Sequence, residues 1–244
     1  MIEVRALRKR FGAVTAVDGV SFKAADGVVT GLLGPNGAGK TTTLRMLTAL
    51  IAPDSGQALV DGLDVHQETL RARRKLGVLS DAKGLYPRLT AREHVRYFGE
   101  LQGLSGAHLE QRIDAMLDLL DMRSIADRRA EGFSTGERTK VALARALVHD
   151  PGNVLLDEPT NGLDVMSTRA MRGLIKSLRE QGRCVVFSSH VMQEVAALCD
   201  RIVVIARGHV VADGTPDELR ARAGKDNLEE AFVAVIGSDA GLAG

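Results

Sequence analysis

The stretch "GPNGAGKT", Gly34 to Thr41, constrains this chain more than any other. It fits G-x-x-x-x-G-K-[ST] and stands between the apolar run "VVTGLLG" (28–34) and a helical pattern, the setting that a phosphate-cradling loop requires. At Gly34, Gly37 and Gly39 there is no Cβ to block positive dihedrals and close approach, so backbone N–H groups can wrap an anion. Pro35, Asn36 and Ala38 complete the wrap, and Thr42 follows it. In such a loop Lys40 reaches the β and γ phosphates of a nucleotide and Thr41 offers its hydroxyl to Mg²⁺.

A second element lies at the end of "NVLLD" (153–157), where Asp157 and Glu158 follow three apolar residues. Asp157 is placed to hold Mg²⁺, directly or through water, and Glu158 to orient or deprotonate an attacking water. The same pair also fits a turn-capping role, because "EPTNG" is rich in turn formers.

Short β-branched runs at 28–34, 153–157, 184–189 and 201–206 alternate with helical patterns. That alternation predicts an α/β fold with a mostly parallel sheet flanked by helices. "MIEVRAL" to "VSFKA" suggests an antiparallel edge region, and "VVIARGHVVADG" a hairpin turning at Gly208. Strand signals vanish between about 86 and 150, which predicts an inserted helical lobe with a capping box at Thr90 and Glu93. Another helix is expected to open at Thr215, with Pro216 first and Glu218 third. The division is thus one domain over 1–236: a core of 1–85 and 151–225, a lobe of 86–150 and a C-terminal helix of 226–236. The segment 237–244 is expected to be a flexible tail.

At 244 residues, with 45% hydrophobic and 26% charged side chains, the chain can bury a large core. Its longest apolar runs fall far short of the ~20 residues that span a bilayer, and no signal-like segment opens it, so a cytosolic place is expected. Cys184 and Cys199 form no C-x-x-C pair and read as buried or half-buried thiols. A net charge of +1 and 3% aromatics give no footprint for nucleic acid, and none is expected as a partner. Arg71, Arg73, Arg74 and Lys75 read as a solvated helix face.

"FSTGERTK" (133–140) precedes the apolar run from Val141, so Ser134 and Gly136 sit where a helix begins and free N–H groups attract anions. With this stretch, the glycine loop and "LLDEPTNGLD" in view, the sequence resembles the ATP-binding subunits of ABC transporters over roughly residues 2 to 236. The resemblance implies a P-loop NTPase fold with ATP and Mg²⁺, in which Gly34–Thr41 is the Walker A loop, Val154–Asp157 Walker B and Glu158 the catalytic glutamate. It makes Asn161–Asp164 the D-loop, with Asp164 at the nucleotide, and His190 the switch histidine that contacts the γ phosphate; as a lone histidine it would read as a surface or capping residue. Phe11 matches the aromatic that stacks on adenine, although its spacing fits apolar packing equally well. Ser134, Thr135, Gly136 and Glu137 match the signature loop, which binds the nucleotide held by a second subunit.

Two positions depart from the family. The signature is usually Leu-Ser-Gly-Gly-Gln, so Glu137 places a carboxylate near phosphate that must either point away or be paired, with Arg138 or Lys140 as candidate partners. Asp81 stands where the family has glutamine; it either binds Mg²⁺ or starts a turn with Gly84. The resemblance further implies a homodimer that sandwiches two ATP molecules, a separate membrane-spanning permease contacted around Tyr86 to Arg92, and a peripheral place on the cytoplasmic face. The stretches 84–104 and 157–174 look most like the sodium-exporting branch, close to the multidrug exporters. A soluble ATPase of the same family acting on nucleic acid or ribosomes would show two cassettes, a coiled-coil arm or a basic strip. A small-molecule kinase on the same loop would leave "FSTGE" and His190 without a use.

Overall fold

The apolar, β-branched runs become strands buried on both faces, and the side-chain alternation along them divides the core in two. The computed structural model describes residues 1–80 and 84–239, the last two by backbone alone. A large sheet contains β3 (Val29–Leu33), β6 (Leu76–Leu79), β7 (Asn153–Asp157), β8 (Cys184–Ser189), β9 (Arg201–Ala206) and β10 (His209–Gly214). Its order is β10-β9-β3-β8-β7-β6, parallel throughout except for the terminal β9–β10 hairpin. A smaller antiparallel sheet, in the order β2-β1-β4-β5, is built from β1 (Ile2–Phe11), β2 (Val14–Ala24), β4 (Ser55–Val60) and β5 (Leu63–Asp64).

Every residue of β3, β7 and β8 is buried, as a sheet covered on both faces requires. Val154, Leu156, Val185, Phe187, Ile202 and Val204 pack on one face with α3 (Ala91–Leu101), α4 (Gly106–Leu119), α5 (Thr135–Leu147), α6 (Val165–Glu180) and α7 (Met192–Leu198). Leu155, Val186, Val203 and Ile205 alternate to the other face, where they meet the small sheet, α1 (Lys40–Leu47) and α2 (Thr69–Arg73). This period of two makes three layers from one set of strands. Two further helices, α8 (Pro216–Ala223) and α9 (Leu228–Asp239), close the chain beside β10.

Parallel pairing also sets the location of the site. Leu33 at the end of β3 is in register with Ser189 of β8, and Asp157 at the end of β7 with Ser188. The residues that follow, Gly34–Thr41, Glu158 and His190, therefore leave the sheet on one edge, where open α/β sheets bind ligands.

The early antiparallel region and the late hairpin form as expected: β1 and β2 belong to the small sheet, and β9–β10 borders the large one, turning at Arg207 and Gly208 with φ +47° and +83°. Other expectations are corrected. Strands β4 and β6 carry weak sequence signals, the first opening on Ser-Gly and the second having four residues at a sheet edge. The helix expected over 226–236 runs Leu228–Asp239 instead. Gly224 (φ +62°) terminates α8, and Asn227 Oδ1 accepts from Glu229 N (2.8 Å) ahead of α9. Residues 237–239 are thus helical where a tail was expected, and 240–244 lie outside the described residues. The basic cluster Arg71, Arg73, Arg74 and Lys75 is exposed, as expected, and Arg73 also donates to Thr48 O (3.3 Å) and Ala49 O (3.2 Å) at the end of α1. Both cysteines are buried, and burial pushes the Cys184 thiol up to about 12.

Candidate functional site

The chain leaves β3 in a loop that only glycine can follow at its two ends. A Cβ on Gly34 would lie 2.1 Å from Ile205 O, and one on Gly39 (φ +107°) 2.5 Å from Ala16 O. Gly37 differs from both in what surrounds it. A Cβ there would meet nothing within 4 Å, so Gly37 is required by its left-handed backbone, φ +80°, and not by crowding from the protein. So constrained, Asn36 to Thr42, Gly37 included, line a cleft of about 430 Å³ with Ala16, Glu158, Asn161 and His190. Gly39 is the N-cap of α1 and provides no side-chain cap, so the first-turn N–H groups of that helix remain available to an anion. Lys40 is buried, donating to Gly34 O (2.7 Å) and Pro35 O (3.2 Å). Burial pushes its pKa down, against the pull of Glu158 and Asp157, and its Nζ lies 4.0 Å from Glu158 Oε1.

Asp157 is buried at the end of β7 and accepts at Oδ1 from Thr41 Oγ1 (3.3 Å) and Ser188 Oγ (2.5 Å). Among the described residues no group of three His, Cys, Asp or Glu stands ready to hold a metal alone. One hydroxyl and one carboxylate side by side are nevertheless what Mg²⁺ takes when phosphate and water complete its octahedron, so Thr41 and Asp157 fit that ion. Asp81, the third expected ligand, lies outside the described residues.

Glu158 follows with a left-handed backbone, φ +47°, a conformation that costs a non-glycine residue about 1 kcal/mol or more and collects at functional sites. Its N–H donates to Ser188 Oγ (3.0 Å), and its Oε2 lies 2.9 Å from His190 Nδ1. Lys40, Thr41, Asp157, Glu158 and His190 are therefore brought together from three neighbouring strand ends, a basic loop facing a carboxyl pair and an imidazole. That arrangement can bind a phosphate chain, hold its metal and set a base beside it.

The other expected residues lie elsewhere. Ser134 caps α5: its Oγ accepts from Glu137 N (3.2 Å) while Glu137 Oε2 accepts from Ser134 N (2.8 Å), a reciprocal capping box. Glu137 Oε1 pairs with Arg128 Nη1 (2.7 Å), so neither Arg138 nor Lys140 is its partner; those reach Phe133 O and Asp121 O. The Ser134 N–H, with Arg128, holds the Glu137 carboxyl below the usual carboxylate range. Thr135 lies against the 161–164 turn, where a Cβ on Gly162 would sit 3.5 Å from its Cγ2, and a Cβ on Gly136 would sit 3.3 Å from Ser167 Oγ. None of residues 134–137 lines the cleft, nor does Asp164, which caps α6 by accepting from Ser167 N (2.7 Å). Phe11 is half exposed at the end of β1, with Lys9 Nζ 5.7 Å from its ring centre, so it does not serve core packing.

Sequence reasoning does not single out Ser188 or Arg128. The signal for Ser188 is the polar pair closing the apolar run "CVVFSS"; Arg128 carries no local signal, since its role depends on the lobe's path.

Comparison with known proteins identifies the family. A family model described as ABC transporter matches residues 17–161. The chain is 42% identical over 224 residues to the ABC transporter ATP-binding protein NatA of Bacillus subtilis (strain 168), covering 91% of each. It is 39% identical over 241 residues to the probable multidrug ABC transporter ATP-binding protein YbhF of Escherichia coli (strain K12), covering 97% of this chain and 42% of that one. Among solved structures it resembles a dimeric post-hydrolysis state of an ATP-binding cassette bound to ADP and Pi, with a TM-score of 0.80 and 26% identity, covering 88% of this chain and 98% of that one. With the family model matched over more than half of the chain and a relative 42% identical over 91% of it, the chain belongs to the ABC transporter family and is one of its ATP-hydrolysing, ATP-binding subunits.

Proposed function

We propose that this ATPase powers export, of sodium ions or drugs, through a separate membrane-spanning permease, and that it works as a pair of identical chains on the cytoplasmic face of the membrane. The observation that carries the paired mechanism is the separation of the two phosphate-binding features. The cleft holds Lys40, Glu158 and His190, whereas the start of α5 stands outside it with no lysine of its own. A second copy completes both: Walker A of one chain faces residues 134–137 of the other, and two ATP molecules lie between them.

In this reading the loop from Gly34 to Thr42 cradles the phosphates, with the open space above Gly37 left to an oxygen of the ligand, and Lys40 exchanges its loop carbonyls for the β and γ oxygens. Thr41 and Asp157 would hold Mg²⁺, with Asp81 proposed as a further oxygen ligand, and the ion would supply neutralisation of phosphate charge. Glu158 orients the attacking water and accepts its proton, while His190 holds Glu158 through Nδ1 and meets the γ phosphate. Ser134 and Gly136 approach that phosphate from the partner, Asp164 joins across the interface, and Phe11 stacks on adenine.

The permease contact is supported by an exposed aromatic patch. Tyr86 stacks on the buried His94 at 5.9 Å, its carbonyl lies 3.0 Å from His94 Nε2, and Tyr97 packs edge-on. Arg145 of α5 reaches the same region through Gly84 O (3.0 Å) and the Phe98 ring (4.9 Å), so the helix capped by Ser134 is tied at its far end to Gly84 and Phe98. Among the described residues no helix is long and apolar enough to cross a membrane, in keeping with a separate permease. Export rests on the resemblance of the stretches 84–104 and 157–174 to the sodium-exporting branch of the family. Light scattering of purified Glu158→Gln protein tests the pairing: dimers are expected with ATP and monomers without it, and monomers under both conditions would count against the sandwich.

A further inference from the structure

A buried carboxyl lies behind the site and is not used in the steps described above. Glu194 is the third residue of α7, 5% exposed. At that position a glutamate commonly reaches back to the N-cap N–H, as Glu93, Glu137 and Glu218 do in α3, α5 and α8. Glu194 does not, and the N-cap of α7, Val191, is capped by the Ser189 hydroxyl instead (3.0 Å from its N). One oxygen of Glu194, Oε2, accepts from Thr160 Oγ1 (2.6 Å) and from Ser189 Oγ (3.2 Å).

These two hydroxyls belong to the two segments that must agree for hydrolysis. Thr160 lies in the turn after β7, two residues past Glu158, where Asn161 N bonds Glu158 O (3.1 Å) and Leu163 N bonds Thr160 O (3.1 Å). Ser189 ends β8 immediately before His190, and its hydroxyl also holds Val191 on the far side. The two segments are thus tied together twice. Ser188 bridges directly to Asp157 Oδ1 and Glu158 N, and Glu194 bridges Thr160 to Ser189. The left-handed Glu158 and its 2.9 Å contact with His190 lie between the two ties.

Burying a carboxyl is costly unless it is hydrogen-bonded, and a strained backbone persists only where its surroundings over-determine it. We propose that Glu194 is a positioning residue for the hydrolytic step: it clamps the Glu158 turn to the His190 strand end, so that base and histidine keep one relative placement when nucleotide enters. The inference rests on the reading of Glu158 and His190 as the hydrolytic pair. Because the clamp does not touch the loop from Gly34 to Thr42, its loss acts on turnover and not on nucleotide affinity.

Steady-state ATP hydrolysis by purified Thr160→Val, Thr160→Ser, Glu194→Ala and Glu158→Gln proteins tests this. Thr160→Val keeps the side-chain shape and removes the hydroxyl; its kcat is expected to fall about tenfold, since misplacement of a reacting group by a fraction of an ångström is enough, with KM within about twofold of wild type. Thr160→Ser restores the donor and is expected to restore kcat. Glu194→Ala is expected to match Thr160→Val, and adding Thr160→Val to it to produce little further loss. Should Glu194→Ala not fold, the Val and Ser pair at 160 decides alone. A wild-type kcat in Thr160→Val, a rise in KM in place of the fall in kcat, or a loss that serine does not rescue overturns the clamp. Failure of the underlying reading has a different signature, because Glu158→Gln would then hydrolyse ATP at the wild-type rate whatever happens at Thr160.

Discussion

His190 Nδ1 lies 2.9 Å from Glu158 Oε2. A general base held by an oriented imidazole contributes on the order of 10²–10⁴ in rate, so Glu158→Gln is expected to lower ATP turnover at least about a hundredfold. Affinity for ATP should stay close to wild type, because Lys40, Thr41 and Thr42 are untouched. Fluorescent-nucleotide titration beside steady-state turnover checks both halves; loss of binding together with turnover would assign Glu158 to the phosphate cradle.

Ser188 serves two groups at once, donating to Asp157 Oδ1 at 2.5 Å and accepting from Glu158 N at 3.0 Å. Ser188→Ala leaves a part-buried N–H without that acceptor, a change that costs about 1–3 kcal/mol. A drop of that size in urea unfolding, accompanied by slower hydrolysis, is expected. An unchanged urea midpoint would mean that another group takes the Glu158 N–H.

Gly39 combines φ +107° with a backbone oxygen 2.5 Å from where a Cβ would stand. Gly39→Ala is expected to abolish nucleotide binding, since either the loop or Ala16 must move, and to lower stability by about 1–3 kcal/mol. Calorimetric titration with ATP and a thermal melt read the two effects separately.

The signature helix contributes a pH dependence. Glu137 has a depressed pKa in the folded chain, caused first by the Ser134 N–H and then by Arg128. The unfolded chain therefore takes up that proton first as pH falls below ~4.3, and the stabilisation by Glu137, complete at neutral pH, is lost as pH drops through the folded value. Wild type is expected to lose its advantage over Glu137→Gln progressively as pH falls below ~4.3 in urea midpoints. Midpoint curves that stay parallel over that range would show that Glu137 is not held as an ion. Ser134→Ala, which removes the other half of the capping box, is expected to cost about 0.5–2 kcal/mol.

Much of this molecule is legible without its structure, and the parts that are not share a cause. The glycine loop, the Asp157–Glu158 pair and the capping boxes at Thr90 and Thr215 are local patterns, and residues within four positions decide them. What each glycine of the loop answers to is not local: Gly34 and Gly39 face oxygens of Ile205 and Ala16, whereas Gly37 faces open space. Strands β4 and β6 escape the sequence because their pairing, not their composition, makes them strands. The partner of Glu137 is not among its neighbours in the helix, since Arg128 arrives from the loop before it. Glu194 reads in sequence as an ordinary first-turn acid; only the meeting of two strand ends turns it inward.

The central claim is that one chain holds half of each site, and mixing two inactive chains tests it most directly. Lys40→Ala removes the cradle's cation, and Ser134→Arg blocks the start of α5. Each protein alone is expected to be inactive, because both of its sites carry the defect. In an equimolar mixture half of the dimers are mixed and each has one intact site, so hydrolysis is expected to return to about a quarter of the wild-type rate. Full activity in Ser134→Arg alone, or a mixture as inactive as its parts, would contradict the shared site.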